Sequence, residues 1–291
     1  MRRSVHLLCF VVGALALSAA AGAAPRNPLW VIEGKQNTVY MLGSVHVLRE
    51  SDYPLPKVID SAYRDAEIVY MEIDLDDMAA GEALQYTLAN ASLPEGRTLR
   101  DILGLADFTA ADVKANAIGV DLSMFSQFEP WVAALAVVQA QISHLGLDAD
   151  QGVEQYLLRM ALRDEKEVRG LETLSDQLGV LDGLSLERQG KFLLMSLEES
   201  SEMPGQLDAM ISAWRRGDGE ELAKVLGEEF GDFPDLYQSL IVARNRNWTR
   251  QILELLDDED DYLIVVGALH LVGDDSVLEM LSEHDVVSRQ R

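Results

Sequence analysis

Tyr262-Leu263-Ile264-Val265-Val266-Gly267-Ala268-Leu269-His270 is the stretch that decides the fold. Five apolar residues, rich in β-branched and aromatic types, stop at a glycine, and a histidine follows three positions later. A short run that is apolar at every position reads as a strand covered on both faces, the kind found in parallel sheets flanked by helices. The same pattern stands near the other end of the chain, where Thr38-Val39-Tyr40-Met41-Leu42 leads into Gly43-Ser44-Val45-His46. In each tetrad the glycine lets the backbone turn or approach another segment closely. The histidine is then carried to the crevice outside the strand ends, where open α/β sheets bind ligands. Neutral imidazole is the commonest metal ligand, so the paired tetrads point to a metal site. A lone histidine after an apolar run is more often a hydrogen-bonded structural residue; here the pattern recurs in two of five histidines. His6 in the N-terminal apolar segment, His144 at the end of an apolar helix and His284 in a charged stretch read as structural or solvated.

Working outward, Leu29-Trp30-Val31-Ile32-Glu33 and the Thr38 run flank Gly34-Lys35-Gln36-Asn37, which reads as a hairpin turn. A helix over about Pro56 to Arg64 leads into Ile68-Val69-Tyr70-Met71, a short strand ending at Glu72, and this is a β-α-β unit. A further strand, Glu167-Val168-Arg169-Gly170-Leu171, ends at Glu172. Residues 78–165 and 176–256 read as large helical insertions between strands, and a closing helix starts at about Ser276. The expected architecture is α/β, a central and mostly parallel sheet flanked by helices, in one domain spanning residues 24–291.

Residues 1–23 read as a secretory signal peptide. Arg2 and Arg3 precede an apolar stretch from Val5 to about Leu17, and Ala21-Gly22-Ala23 forms an Ala-x-Ala cleavage site. The expected location is therefore periplasmic or secreted. The one cysteine, Cys9, lies in that segment, so disulfides and cysteine ligands are excluded from the exported chain. The apolar run from Trp131 to Ile142 is too short to span a bilayer and reads as a buried helix. A formal charge of −25 opposes binding to nucleic acid or anionic lipid. The acidic run Asp257-Asp258-Glu259-Asp260-Asp261 reads as a solvated loop.

His46, Glu72, Glu172 and His270 all fall at or just past the C-terminal end of an expected strand. Two imidazoles with one or two carboxylates suit zinc, manganese, iron or cobalt and leave positions for water and substrate. A carboxylate outside the ligand set can act as general base. Glu72 reads equally as an exposed charge at a strand end, and Glu172-Thr173-Leu174-Ser175 equally as helix-start chemistry. On the helix from about Leu236 to Leu256, Tyr237, Ile241, Arg244, Trp248 and Ile252 recur at three- and four-residue spacing, which places Arg244 on the apolar stripe. A guanidinium there needs a carboxylate or an anionic ligand. Asn245 is its neighbour.

Together these residues resemble the TraB/PrgY/GumN family, in its GumN-like secreted branch, related to the Tiki ectodomains and more distantly to erythromycin esterase and the ChaN fold. The likeness runs through Leu42-Gly43-Ser44-Val45-His46, Val69-Tyr70-Met71-Glu72-Ile73-Asp74, Gly152-Val153-Glu154-Gln155-Tyr156-Leu157, Val168-Arg169-Gly170-Leu171-Glu172-Thr173, Arg244-Asn245-Arg246-Asn247-Trp248 and Val266-Gly267-Ala268-Leu269-His270. The Tiki branch implies divalent-metal-dependent proteolysis, with manganese or cobalt, mapping onto His46, Glu72 and His270; Arg244 and Asn245 match the remaining polar signature. The pheromone-shutdown branch implies peptide degradation or sequestration, and the GumN name implies only association with exopolysaccharide genes. Two functions follow as expectations. One is a metal-dependent, peptidase-like hydrolase in which Arg244 stabilises the developing oxyanion; the other is a protein that uses the same crevice to hold a peptide, a haem-like ligand or a metal without turnover.

Overall fold

A computed structural model describes residues 26–74, 81–147, 149–198, 203–228 and 234–291. The expected signal peptide lies outside them. Six strands form one sheet: β1 (Leu29–Glu33), β2 (Thr38–Ser44), β3 (Ile68–Ile73), β4 (Val168–Glu172), β5 (Tyr262–Gly267) and β6 (Ser288–Gln290), in the order β4-β3-β5-β2-β1-β6. The four strands that carry the candidate residues are parallel. β1 turns antiparallel onto β2 through Gly34–Asn37, where the Gly34 N–H donates to the Asn37 carbonyl at 2.9 Å. β6 closes the far edge antiparallel to β1. The sheet is thus mostly parallel, and the chain adopts an α/β fold.

Strand β5 shows why an uninterrupted apolar run belongs at the centre. Successive side chains of a strand face opposite sides. Leu263 and Val265 enter one core with Val69, Met71, Leu42, Ile59, Tyr63, Leu157 and Trp214. Tyr262, Ile264 and Val266 enter the other with Val39, Met41, Trp248, Ile252 and Val277. All five are fully buried; the Tyr262 hydroxyl keeps a partner in Asp258, whereas a polar residue at one of the four aliphatic positions would give up its hydrogen bonds to water.

Between β3 and β4 the chain runs through helices that include Glu82–Asn90, Leu105–Ala117, Pro130–His144 and Val153–Asp164, and between β4 and β5 through Leu174–Asp182, Leu186–Ser196, Met203–Arg215, Gly219–Glu228 and Ala243–Leu255. Part of this helical material packs on itself away from the sheet, around Leu99, Phe108, Leu122, Ala134, Val137 and Leu193. The helix Pro130–His144 buries Trp131, Ala133, Ala134 and Val137. No described helix is long and apolar enough to cross a membrane.

Two elements differ from the sequence reading. The helix read as continuous over Leu236 to Leu256 has a π-helical turn at Gln238–Val242 between Pro234–Tyr237 and Ala243–Leu255. β6 was not expected, because Ser288-Arg289-Gln290 has no apolar alternation; it is held by backbone pairing with Trp30, Val31 and Ile32.

Candidate active site at the C-terminal edge of the sheet

The parallel register brings the two tetrads together. Gly43 stands opposite Val266 and Ser44 opposite Gly267. The tetrads then diverge. β2 continues through Gly43 to Ser44 before the chain bends to His46, whereas β5 stops at Gly267 and a 3-10 turn, Ala268–Leu271, carries His270. Gly43 is needed for close approach: a Cβ there would lie 3.2 Å from the Ala268 Cα. The Trp214 indole N–H donates to the Gly43 carbonyl at 2.7 Å and fixes this end of β2.

Gly267 has a different task. A Cβ on it would lie 3.3 Å from Glu72 Oε1, 3.6 Å from His270 Cδ2 and 3.7 Å from His46 Nε2. The missing side chain leaves open the point on which the three residues converge. His46, Glu72 and His270, far apart in sequence, are thus brought into one small volume.

Each histidine is aimed by its other ring nitrogen. His270 is buried, its Nδ1 is 2.6 Å from Asn245 Oδ1, and Asn245 Nδ2 donates to the Asp275 carbonyl at 2.7 Å. That second bond fixes the amide orientation, so Asn245 presents its oxygen and His270 Nδ1 must be the donor. His270 Nε2 therefore carries the lone pair. Burial, only partly offset by the charge of Glu72, pushes the His270 pKa down to about 3, so the ring is neutral. His46 has 69% of its side chain exposed, and its Nδ1 lies 2.9 Å from Glu154 Oε1. The charge of Glu154 raises the His46 pKa.

Glu72 ends the buried part of β3. Its Oε1 accepts the Gly267 N–H at 2.8 Å and lies 3.8 Å from His270 Nε2; its Oε2 accepts from Arg244 Nη2 at 2.5 Å and from Gln177 Nε2 at 3.2 Å. Burial opposes its ionisation, but the charges of His270 and Arg244 and the Gly267 N–H outweigh it and hold the pKa at about 2. With His270 neutral, Arg244 and His46 supply that charge near neutral pH.

Arg244 has the carboxylate partners that its place on an apolar stripe demands, and it has two. Nε and Nη2 donate to Glu172 at 2.6–3.1 Å, Nη2 also to Glu72, and Nη1 to the Leu240 carbonyl at 3.0 Å while facing His270 Nε2 at 3.3 Å. The guanidinium also lies 4.6 Å from the Trp248 ring centroid, and Trp248 packs at 4.5 Å on His270. All five guanidinium N–H groups are engaged. Glu172 and Arg244 line a cleft of about 570 Å³ together with Asp176, Trp248, Arg250 and Gln251, while His46, Glu72 and His270 lie outside its lining. Burial raises the Glu172 pKa against the opposing effect of Arg244. The helix-start chemistry after β4 is real, but it belongs to the Thr173–Asp176 capping box and leaves the Glu172 side chain for Arg244.

His144 and His284 are exposed. Sequence reasoning assigned no role to Glu154 or Gln177. The signal for Glu154 was present: on Val153–Asp164 it shares the buried face with Leu157, Leu158 and Ala161, at three-, four- and seven-residue spacing.

Among the described residues no group of three or more His, Cys, Asp or Glu side chains is arranged to hold a metal ion as it stands. Arg244 occupies one oxygen of Glu72 and faces His270 Nε2. The chemistry of the donor set nevertheless fits a cation: one ionised carboxylate, two imidazoles each tied through Nδ1 to an oxygen, and an open point beside Gly267. Support of this kind, from the non-ligating ring nitrogen to an oxygen, is the usual companion of metal-binding histidine.

An α/β chain with a His, Glu and Arg cluster at the C-terminal edge of its parallel strands is the class that these features define. The chain belongs to the TraB/PrgY/gumN family, whose model matches residues 28–290. It is 26% identical over 243 residues to YbaP of Escherichia coli strain K12, covering 83% of this chain and 87% of that one. It is 25% identical over 265 residues to a protein of Treponema pallidum strain Nichols, covering 87% and 79%. It is also 23% identical over 314 residues to metalloprotease TIKI2 of Xenopus tropicalis, covering 88% of this chain and 58% of the relative. No solved structure matches the chain significantly.

Proposed function

We propose that this protein is a divalent-metal-dependent, peptidase-like hydrolase that works in the periplasm or outside the cell after loss of residues 1–23. One observation carries the reading: both histidines are tied through Nδ1, and with Glu72 Oε1 they converge on the point that Gly267 leaves open. The metalloprotease names of the Tiki relatives support the same reaction class.

His46, His270 and Glu72 would hold the cation. When bound, such a cation polarises a carbonyl and lowers the pKa of water enough to make it a nucleophile near neutral pH. Burial keeps His270 neutral, and Asn245 holds its Nδ1–H so that the Nε2 lone pair points outward. Arg244 keeps Glu72 ionised and fixes it against Glu172, so it is a positioning residue in this arrangement. The Arg244 N–H that faces His270 Nε2 is the donor that occupation of that nitrogen would free for a substrate oxyanion. Glu172, lining the cleft with a pKa raised by burial, is placed to exchange a proton with a bound substrate.

The test is cleavage of a peptide library by the exported form, metal-free and with manganese, cobalt or zinc added. Metal-dependent cleavage abolished in Glu72→Gln supports the proposal. Stoichiometric metal without cleavage of any peptide makes the chain a metal-binding member of the family instead. N-terminal sequencing tests export: a start near Ala24 supports it, and residues 1–23 intact on detergent-extracted protein contradicts it.

A further inference from the structure

We infer that Glu154 is the residue that positions His46, and that the start of helix Val153–Asp164 is an arm built to hold the first tetrad. The inference rests on the metal reading above, but its geometry stands by itself. His46 lies two residues beyond the end of β2 and is largely exposed, so nothing in its own packing restrains the ring. His270, by contrast, is buried against Trp248.

Three contacts tie the arm to the tetrad. The Val153 N–H, one of the first-turn donors that a helix cannot satisfy internally, donates to the Val45 carbonyl at 3.1 Å. The next residue, Glu154, accepts the Ser44 hydroxyl hydrogen and sits 2.9 Å from His46 Nδ1, both through Oε1. An acid in the first helical turn is favoured by the helix dipole, and both Ser44 and His46 approach this one through their hydrogens. The carboxylate therefore accepts on both sides and leaves His46 Nε2 as the nitrogen that faces Gly267. The two histidines are supported unequally, one by a neutral amide and the other by a charged carboxylate, and the second adds negative charge next to a cation held at Nε2. Carboxylate support of this kind raises ligand basicity, and its loss costs about 10–100-fold in metal affinity.

The test uses the exported chain with ¹⁵N-labelled histidine. In metal-free protein the His46 Nδ1–H should give a downfield, slowly exchanging proton resonance that disappears in Glu154→Ala while that of His270 remains. In Glu154→Gln the resonance should persist, because an amide oxygen can accept as Asn245 does. Calorimetric titration with zinc or manganese should then rank wild type above Glu154→Gln and Glu154→Gln above Glu154→Ala, the last weaker by about 10–100-fold. If Glu154→Ala does not fold by circular dichroism, folded Glu154→Gln decides, and wild-type affinity in it overturns the inference. A His46 resonance unaffected by Glu154→Ala also overturns it. If the wild type binds no metal, the proposed function fails, and the resonance alone judges the role of Glu154.

Discussion

Ser44 and Gly267 face each other across the β2–β5 ladder, although 223 residues separate them. That pairing places both tetrads at one edge of the sheet, and it makes the two tetrad glycines experimentally separable. Gly267 has φ −51° and ψ 138°, which suits any L residue. Gly267→Ala should therefore fold with a nearly unchanged melting temperature, yet lose at least tenfold in metal affinity because the new methyl fills the point shared by Glu72, His46 and His270. Gly43→Ala should show the converse, since its methyl meets Ala268; overpacking of this kind costs about 1–3 kcal/mol. Denaturation and calorimetry on the two variants check both, and equal metal affinity in Gly267→Ala and wild type would remove the convergence point from the account.

Arg244 joins Glu72 to Glu172, and its loss leaves two buried carboxylates without a cation. Arg244→Met should destabilise the fold by about 3–5 kcal/mol, measured by urea denaturation. Arg244→Lys keeps a charge but cannot span both carboxylates with a planar fork. It should lose less stability, retain metal and lower turnover. A folded Arg244→Met variant with unchanged stability and unchanged turnover would contradict both its structural and its functional place.

The pH dependence of the metal-free protein follows from His270. In the unfolded chain it takes up a proton as pH falls through 6.5, whereas in the folded state it stays neutral until about 3. The unfolded state thus binds more protons across this window, and stability falls with acid by up to ~1.4 kcal/mol per pH unit. Glu72 acts in the same direction between 4.5 and about 2. His46 has a raised pKa, so its contribution is present below 6.5 and is lost on the alkaline side. Denaturation midpoints from pH 7 to 4.5 should decline steadily in wild type and flatten in His270→Gln. An equal slope in both would show that His270 is not the group responsible.

Much of this site was legible because it lies where apolar runs stop. β5, the β1–β2 hairpin and the strand ends at Glu72 and Glu172 announce themselves by composition, and an arginine on an apolar stripe announces a buried partner. The identity of that partner was not legible. Glu72 and Glu172 reach Arg244 only after β3 and β4 have paired in register, and no local pattern encodes that pairing. Glu154 followed the same logic as Arg244, but it stands in the first turn of its helix, where an acid is ordinary dipole chemistry. β6 and the π turn were hidden for another reason: both are set by backbone hydrogen bonds, which leave no signature in side-chain hydrophobicity.

The most direct test of the central claim is metal content after reconstitution. Chelator-stripped protein is loaded with manganese, cobalt or zinc, desalted and assayed by elemental analysis, for wild type, His46→Ala, His270→Ala, the double variant, and His144→Ala with His284→Ala as controls. The account predicts one equivalent in wild type and controls, a loss in each single variant, and none in the double variant. Stoichiometric metal in a folded His46→Ala/His270→Ala protein would contradict it.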